Sequence, residues 1–350
     1  MPSTLPSTLG LSLPVIQGPM TGSDSPALAA AVSAGGGLGS LGCGMRSPQA
    51  MREAAAAVRA QTDRPFAMNL FVQATPEPDA ACVQRALQRL APLYARFGAE
   101  PALPAQWCED FAQQFDTLIE CRPAVASFTF GILSAEQVQR LHAAGCQVWG
   151  TATTVAEALA WQTVGADAVI ASGCEAGGHR GTFLADYASS MVSTLPLVRA
   201  CVLQLRVPVI AAGGIMDGAG IAAALALGAQ AVQMGTAFLV CPESTINAAY
   251  RAALTSAQAT DTVTTRTISG RPARGIRNAM IDALEPQEAD IPAYPVQNAL
   301  TGALRKLAGA AGDAQYLSLW AGQGVAQARA MAAAQLLQQL KQEWLAAGAQ

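Results

Sequence analysis

The stretch Val207–Thr236, VPVIAAGGIMDGAGIAAALALGAQAVQMGT, decides the fold. A β-branched and apolar run, Val207 to Ala212, breaks at Gly213-Gly214. A helical Ala/Leu segment begins near Asp217-Gly218 and stops at Gly228, and Ala231 to Gly235 turns β-like again around Gln233. The uncharged run Gly218 to Pro242 has enough residues to span a bilayer. The glycine stop and the polar Gln233 divide it instead into a helix and a strand. Two strands too apolar to have a wet face, joined by a helix, read as a parallel pair buried on both sides.

The same unit recurs along the chain. Strands are expected at Val15 to Met20, Leu38 to Leu41, Phe66 to Phe71, Val125 to Phe130, Gln147 to Thr151, Ala168 to Ser172, Val207 to Ala212 and Ala231 to Gly235. Helices between them start at Ser25-Pro26, at Ser47-Pro48 and at Ser134 with Gln137 in the capping-box position. Gly35, Gly145, Gly165 and Gly228 stand where a left-handed residue ends a helix. Eight units in about 225 residues suit a closed (β/α)₈ barrel better than an open doubly wound sheet.

Two regions depart from the repeat. Residues 75–122 read as a helical insertion, with Val83, Leu87 and Leu90 on one helix face and a Pro-rich loop after it. Residues 240–350 read as a mainly helical substrate domain over the barrel mouth, with a possible extended piece at Thr262 to Ile268 and a final helix available to pack back on the barrel. The division is therefore a barrel over 1–239 and a helical remainder over 240–350.

Composition excludes several classes of function. With 51% hydrophobic and 13% charged residues, the 350-residue chain is built to bury a large core, not to stay disordered. A net charge of −3 and only two lysines, Lys306 and Lys341, leave no electrostatic footprint for nucleic acid or an anionic membrane. The opening MPSTLPSTLG has neither a basic start nor an apolar core, so a cytoplasmic location is expected. Eight cysteines form no CxxC, and the closest pair is thirteen residues apart, which argues against a zinc site and for reduced thiols.

A formal GxGxxG at Gly37, Gly39 and Gly42 follows a helix and runs into a strand, the reverse of a dinucleotide-binding turn. The ends of the last two strands are more informative. Gly213-Gly214 and Gly235-Thr236 stand where barrels bind phosphate through backbone N–H groups, although the glycine pair alone could be a tight turn. After the sixth strand, Ser172-Gly-Cys-Glu-Ala-Gly-Gly-His-Arg-Gly181 places His179, one of only two histidines, at the mouth. Imidazole suits proton exchange near neutrality, so His179 is the catalytic candidate, with ordering of the loop as its structural alternative. His142 sits at a helix C-terminus and reads as structural. Glu175 and Arg180 read as braces for the loop, and Cys174 could be a nucleophile but has no second histidine placed to activate it. Gln17, Asn69 and Gln233 are amides among apolar strand residues; they either satisfy rim backbone or together hold a flat polar ligand.

VIQGPM at 15–20, Asn69-Leu70-Phe71, GCEAGGHRG at 173–181, AAGGI at 211–215, VQMGT at 232–236, SGRPARG at 269–275 and AGQG at 321–324 together resemble the nitronate monooxygenases, formerly 2-nitropropane dioxygenases. The resemblance spans nearly the whole chain. It implies a (β/α)₈ TIM barrel with a helical substrate-capping domain and noncovalent FMN. The implied reaction oxidises alkyl nitronates by O₂ to a carbonyl compound and nitrite. By position, Met20, Asn69, Ser172, Gly177, Gly214, Gln233, Met234, Gly235 and Thr236 would hold FMN, and His179 would be the base or hydrogen-bond partner beside the substrate. The implied partners are a small nitronate and O₂, with no nucleic acid, no membrane and no metal, in a monomer or homodimer. The chain departs from the family at Ser172, where Gln is frequent, and at Gly302, where some members carry a lysine suited to an anionic substrate. Tyr294, Lys306 and Tyr316 remain as pocket residues to be placed. A flavin-dependent NAD(P)H reductase of quinones or enoyl thioesters is the alternative on the same turns, and a flavin-binding protein without turnover is a third reading.

Overall fold

The computed structural model describes residues 4–348, so residues 1–3 of the opening segment and the last two of the 240–350 region lie outside the described residues. Eight parallel strands form the centre: β1 Val15–Gln17, β2 Gly39–Gly42, β3 Phe66–Phe71, β4 Val125–Thr129, β5 Gln147–Ala152, β6 Ala168–Ser172, β7 Val209–Ala212 and β8 Ala231–Met234. They pair in the order β1-β8-β7-β6-β5-β4-β3-β2. A parallel bridge between Ile16 and Leu38 closes the ring, with Gln17 N–H donating to Leu38 O and Leu38 N–H to Val15 O, both at 2.9 Å. This is the expected (β/α)₈ barrel. The strand β1 stops at Gln17, short of Met20, because Gly18-Pro19 leads the chain out of the ladder and proline has no N–H to give it.

Alternation along each strand explains why the whole run is apolar. In β6, Ala168 and Ile170 point to the inner cluster, which also contains Ile16, Trp149 and Ile210. Val169 and Ala171 point outward, into the layer of helices. Leu5, from a short helix Leu5–Thr8, plugs the lower end of the inner cluster. Three helix starts lie where capping chemistry places them: Ser25 Oγ accepts from Leu28 N–H, Ser47 Oγ from Ala50 N–H, and Ser134 with Gln137 forms a capping box. Gly145, Gly165 and Gly228 are left-handed, but after the helix Pro26–Ala34 that conformation falls on Gly36, φ +91°, while Gly35 stays at φ −74°.

Both irregular regions contribute residues to two packed clusters. In 75–122, the helix Phe111–Cys121 belongs to the barrel's outer layer through Phe115 and Leu118, whereas Ala80–Ala95 packs Val83, Leu90 and Tyr94 into a second cluster. That cluster is otherwise built from residues beyond β8, including Leu254, Met280, Leu304 and Val325. The region beyond β8 also contains an antiparallel ribbon, Thr262–Thr265 with Ala273–Ile276. Its second strand pairs with Gly178–His179 from the loop after β6. The last helix, Ala333–Gly348, returns to the barrel and buries Leu336, Leu337 and Leu340 in its outer cluster.

Removing one of these side chains leaves a cavity that packed neighbours fill only partly. Leu340→Ala is expected to lower stability by about 2–5 kcal/mol, read as a lower urea midpoint. An unchanged midpoint would show that the last helix contributes nothing to the barrel.

Candidate active site

A cavity of about 420 Å³ opens at the C-terminal ends of the strands, a volume within the roughly 300–1,000 Å³ of small-molecule sites. All ten residues singled out from the sequence line it: Met20, Asn69, Ser172, Gly177, His179, Gly214, Gln233, Met234, Gly235 and Thr236. They come from five strand ends that are far apart in the chain, and the barrel brings them to one mouth.

One end of the cavity is backbone. Gly213 and Gly214 adopt φ +118° and +72°, so the turn after β7 needs residues without a Cβ penalty. The N–H groups of Gly214 and Gly235 have no acceptor among the described residues. A Cβ on Gly235 would meet no atom within 4 Å, so this backbone faces open space. Polar side chains with spare capacity stand nearby. Asn69 Nδ2 donates to Ser127 Oγ at 3.0 Å and Thr129 Oγ1 at 3.4 Å, which leaves its Oδ1 without a protein donor. The Gln233 side chain has no hydrogen-bond partner among the described residues, and Thr236 Oγ1 accepts from Gly322 N–H while keeping its own proton to give. Unpaired N–H groups at a glycine turn fit a phosphate, and free amides along the wall fit a flat ring with donors and acceptors at its edge. These residues therefore fit a flavin mononucleotide.

Gln17 does not join them. It is buried and buckles the rim: Oε1 accepts from Ser40 N–H, and Nε2 donates to Ser40 O and Gly18 O. Glu175 and Arg180 brace the loop after β6. Glu175 accepts from Thr194 N–H and Oγ1, and the buried Arg180 donates to the carbonyls of Ser172, Gly173 and Ser190. Burial pushes the Cys174 thiol up, with Glu175 adding to the effect, the reverse of an activated nucleophile. His142 is paired with Asp167 at 2.8 Å, remote from the mouth.

His179 is held by the ribbon from beyond the barrel. Its backbone pairs with Ala273, and its Nε2 lies 2.9 Å from Ser269 Oγ. The rings of Phe130, Tyr294 and Trp320 surround it at centroid distances of 5.3–5.5 Å. Phe130 itself sits at φ +79°, an unfavourable conformation for a bulky residue, and carries the Arg271 guanidinium on its face at 4.2 Å. Burial, with Arg271 and Arg305 adding repulsion, pushes the His179 pKa from 6.5 down to about 3. The imidazole is thus neutral at physiological pH. Ser269 has one hydroxyl proton and two acceptors in reach, His179 Nε2 and Arg271 O at 3.1 Å. When serine donates to Nε2, the ring's N–H lies at Nδ1, which has no partner among the described residues.

Of the three residues left open, Tyr294 lines the cavity. Lys306 is exposed, and Tyr316 packs beneath Arg96 and against Phe97. Sequence reasoning missed Arg305, one residue before Lys306, which does line the cavity. The signal was the seven-residue spacing of Asn298 and Arg305, two helical turns on one face. A Cβ at Gly302 would lie 4.0 Å from Arg305 Nη2, so the guanidinium borders that position. Asp24 was also missed, although it is the only charged residue among the first 45. Its buried carboxylate accepts from Met20 N–H and Gly42 N–H and pairs with Arg46 at 2.9 Å, tying the Met20 loop to β2. Burial outweighs those partners and raises its pKa to about 6.

Fold and site together define a (β/α)₈-barrel protein with a deep, glycine-turned and nearly uncharged cavity at its catalytic end. The family model for nitronate monooxygenase matches residues 3–343, and the chain belongs to that family. A nitronate monooxygenase of Pseudomonas aeruginosa is 47% identical over 341 residues, 96% of this chain and 97% of its own. One from Paraburkholderia phytofirmans is 43% identical over 342 residues, covering 96% and 93%. Among solved structures, a nitroalkane oxidase from Streptomyces ansochromogenes superposes with a TM-score of 0.90 at 39% identity over 98% of each chain. FabK from Thermotoga maritima gives 0.76 at 30% identity, covering 97% and 95%.

The depressed His179 pKa has a definite sign. Between about pH 6.5 and 3 the unfolded chain takes up a proton that the native ring refuses, so acidification through that window destabilises the fold through this residue. In a His142→Asn background, the remaining ring resonances should stay those of neutral imidazole from pH 8 down to pH ~4. A titration midpoint near 6.5 would contradict the geometry.

Proposed function

We propose that the protein is an FMN-dependent nitronate monooxygenase that converts alkyl nitronates and O₂ to carbonyl compounds and nitrite. The observation that carries this reading is the coincidence, in one cavity, of an unpaired glycine-turn backbone and a neutral histidine set among aromatic rings. Gly214, Gly235 and Thr236 would hold the phosphate, with Asn69, Ser172 and Gln233 along the ring edge and Met20 and Met234 packed beside it. Ser172 reaches less far than the Gln frequent in the family. Gly177 has a packing role as well, because a Cβ there would lie 2.5 Å from Gly322 N. When bound, the flavin supplies the electron acceptor and the place where O₂ reacts.

The remaining chemistry belongs to side chains of this protein. A base with a pKa near 3 captures protons poorly at pH 7, so His179 is unsuited to pulling a proton from carbon. A neutral imidazole with its N–H at Nδ1 is suited to donating a hydrogen bond to an anion that arrives already ionised. The Ser269 proton selects the tautomer: given to Nε2 it leaves the ring N–H at Nδ1, and given to Arg271 O it leaves the N–H at Nε2. The aromatic walls exclude water and receive the alkyl part of the substrate. Reduced thiols at all eight cysteines support a cytoplasmic setting, and no helix among the described residues is long and apolar enough to cross a membrane.

The test is oxygen uptake with nitrite release from a pre-ionised alkyl nitronate in the absence of NADH. We expect turnover with the nitronate far above that with the neutral nitroalkane, and a fall of roughly 10- to 100-fold in His179→Ala, the loss of one hydrogen bond to a charged group. Rapid anaerobic bleaching of the flavin by NADH without nitronate turnover would replace this reading with the reductase one. Acid release of the cofactor followed by mass measurement identifies FMN; Gly214→Val should lower the flavin content, since valine cannot take φ +72° without strain.

A further inference from the structure

Among the described residues that line the cavity, Arg305 is the one with a formal charge; no Asp, Glu or Lys faces it. It makes no ion pair with any described residue. Nη2 donates to Asn298 O at 2.8 Å and Asn298 Oδ1 at 2.9 Å, Nε to Thr301 O at 3.4 Å, and Nη1 to Ser318 Oγ at 3.4 Å. A guanidinium has five N–H bonds, and these contacts use four, two of them long. One Nη1 hydrogen has no acceptor among the described residues. Arg305 is half-buried without a counter-charge, an arrangement that an anion entering beside it relieves. Nearby His179 is neutral, so it cannot supply the positive charge. Arg271, the other guanidinium close to His179, spends Nε and Nη2 on the carbonyls of Arg180 and Thr182, stacks on Phe130 and does not line the cavity.

We infer that Arg305 is the specificity-determining residue that binds the substrate's negative charge, so that the cavity selects small planar anions over neutral nitro compounds of the same shape. This rests on the nitronate reading for the identity of the natural anion, but the charge requirement stands on the cavity itself. Asn298 and Ser318 hold the guanidinium in place, and Asn298 does so through two oxygens on one nitrogen, which leaves one Nη1 hydrogen for the anion.

Nitrate is planar, carries one charge and is inert to oxidation, so it serves as the probe. Its dissociation constant would be measured on the flavin-loaded protein from the perturbed flavin absorbance and, independently, from the thermal shift. In Arg305→Met we expect nitrate binding to weaken and KM for an alkyl nitronate to rise by roughly 10- to 100-fold, the loss typical of a charged hydrogen bond. The change in kcat should be smaller and the flavin content equal to wild type. Arg305→Lys, which keeps the charge but not the planar fork, should fall between the two and guards against a methionine variant that fails to fold. Nitrate affinity and KM within twofold of wild type in a folded, flavin-loaded variant would overturn the inference. Nitrate binding that depends on Arg305 in a protein that turns over no nitronate would instead overturn the proposed reaction while leaving the anion site.

Discussion

The site depends on a close approach between the loop after β6 and the chain far beyond the barrel. Gly177 packs against Ala321 and Gly322 where no Cβ fits, Gln323 N–H donates to Glu175 O at 3.0 Å, and Gly178–His179 pairs with Ala273–Arg274. Without that seam, His179 would sit on a loop of glycines with nothing to fix its ring. With it, the imidazole is held between Ser269 and three aromatic rings. Glu175 and Arg180 serve the same seam from below by satisfying the backbone of the loop, so charged residues beside the histidine act on its position and not on the substrate.

Charge is scarce in this protein as a consequence of its architecture, and the scarcity shapes the chemistry. Strands buried on both faces leave charges few places within the barrel. The cavity inherits the same character: one arginine, one neutral histidine, amides, hydroxyls and backbone. In surroundings of low polarity, each remaining dipole or charge acts at longer range than it would in water. Burial first, and then Arg271 and Arg305, lower the basicity of His179, and Arg305 still stands in the cavity as a charge for an anion.

The fold was legible in the sequence wherever it rests on periodicity. All eight strands lie where apolar runs are bounded by glycine or a polar residue, and the serine caps are where the hydrogen-bonding rules place them. The glycine turn at one end of the cavity was legible too, since Gly213-Gly214 announces its left-handed backbone directly. Gln17 shows the limit of that reasoning. From the sequence it could equally have faced the ligand or the rim, and only the register of β1 beside β2 turns its amide onto Ser40.

What the sequence by itself determined was local: where strands and helices alternate, which turns need glycine, which histidine stands at the mouth, and the family to which the chain belongs. Tertiary structure alone decided the rest. It set the pairing of Gly178–His179 with a ribbon some ninety residues later, the neutrality of His179, and the choice of Arg305 over the adjacent Lys306 as the charge in the cavity. The physical reason is range. Backbone propensity and capping act within a few residues, whereas desolvation and Coulomb interactions depend on which distant segments the closed barrel presses together.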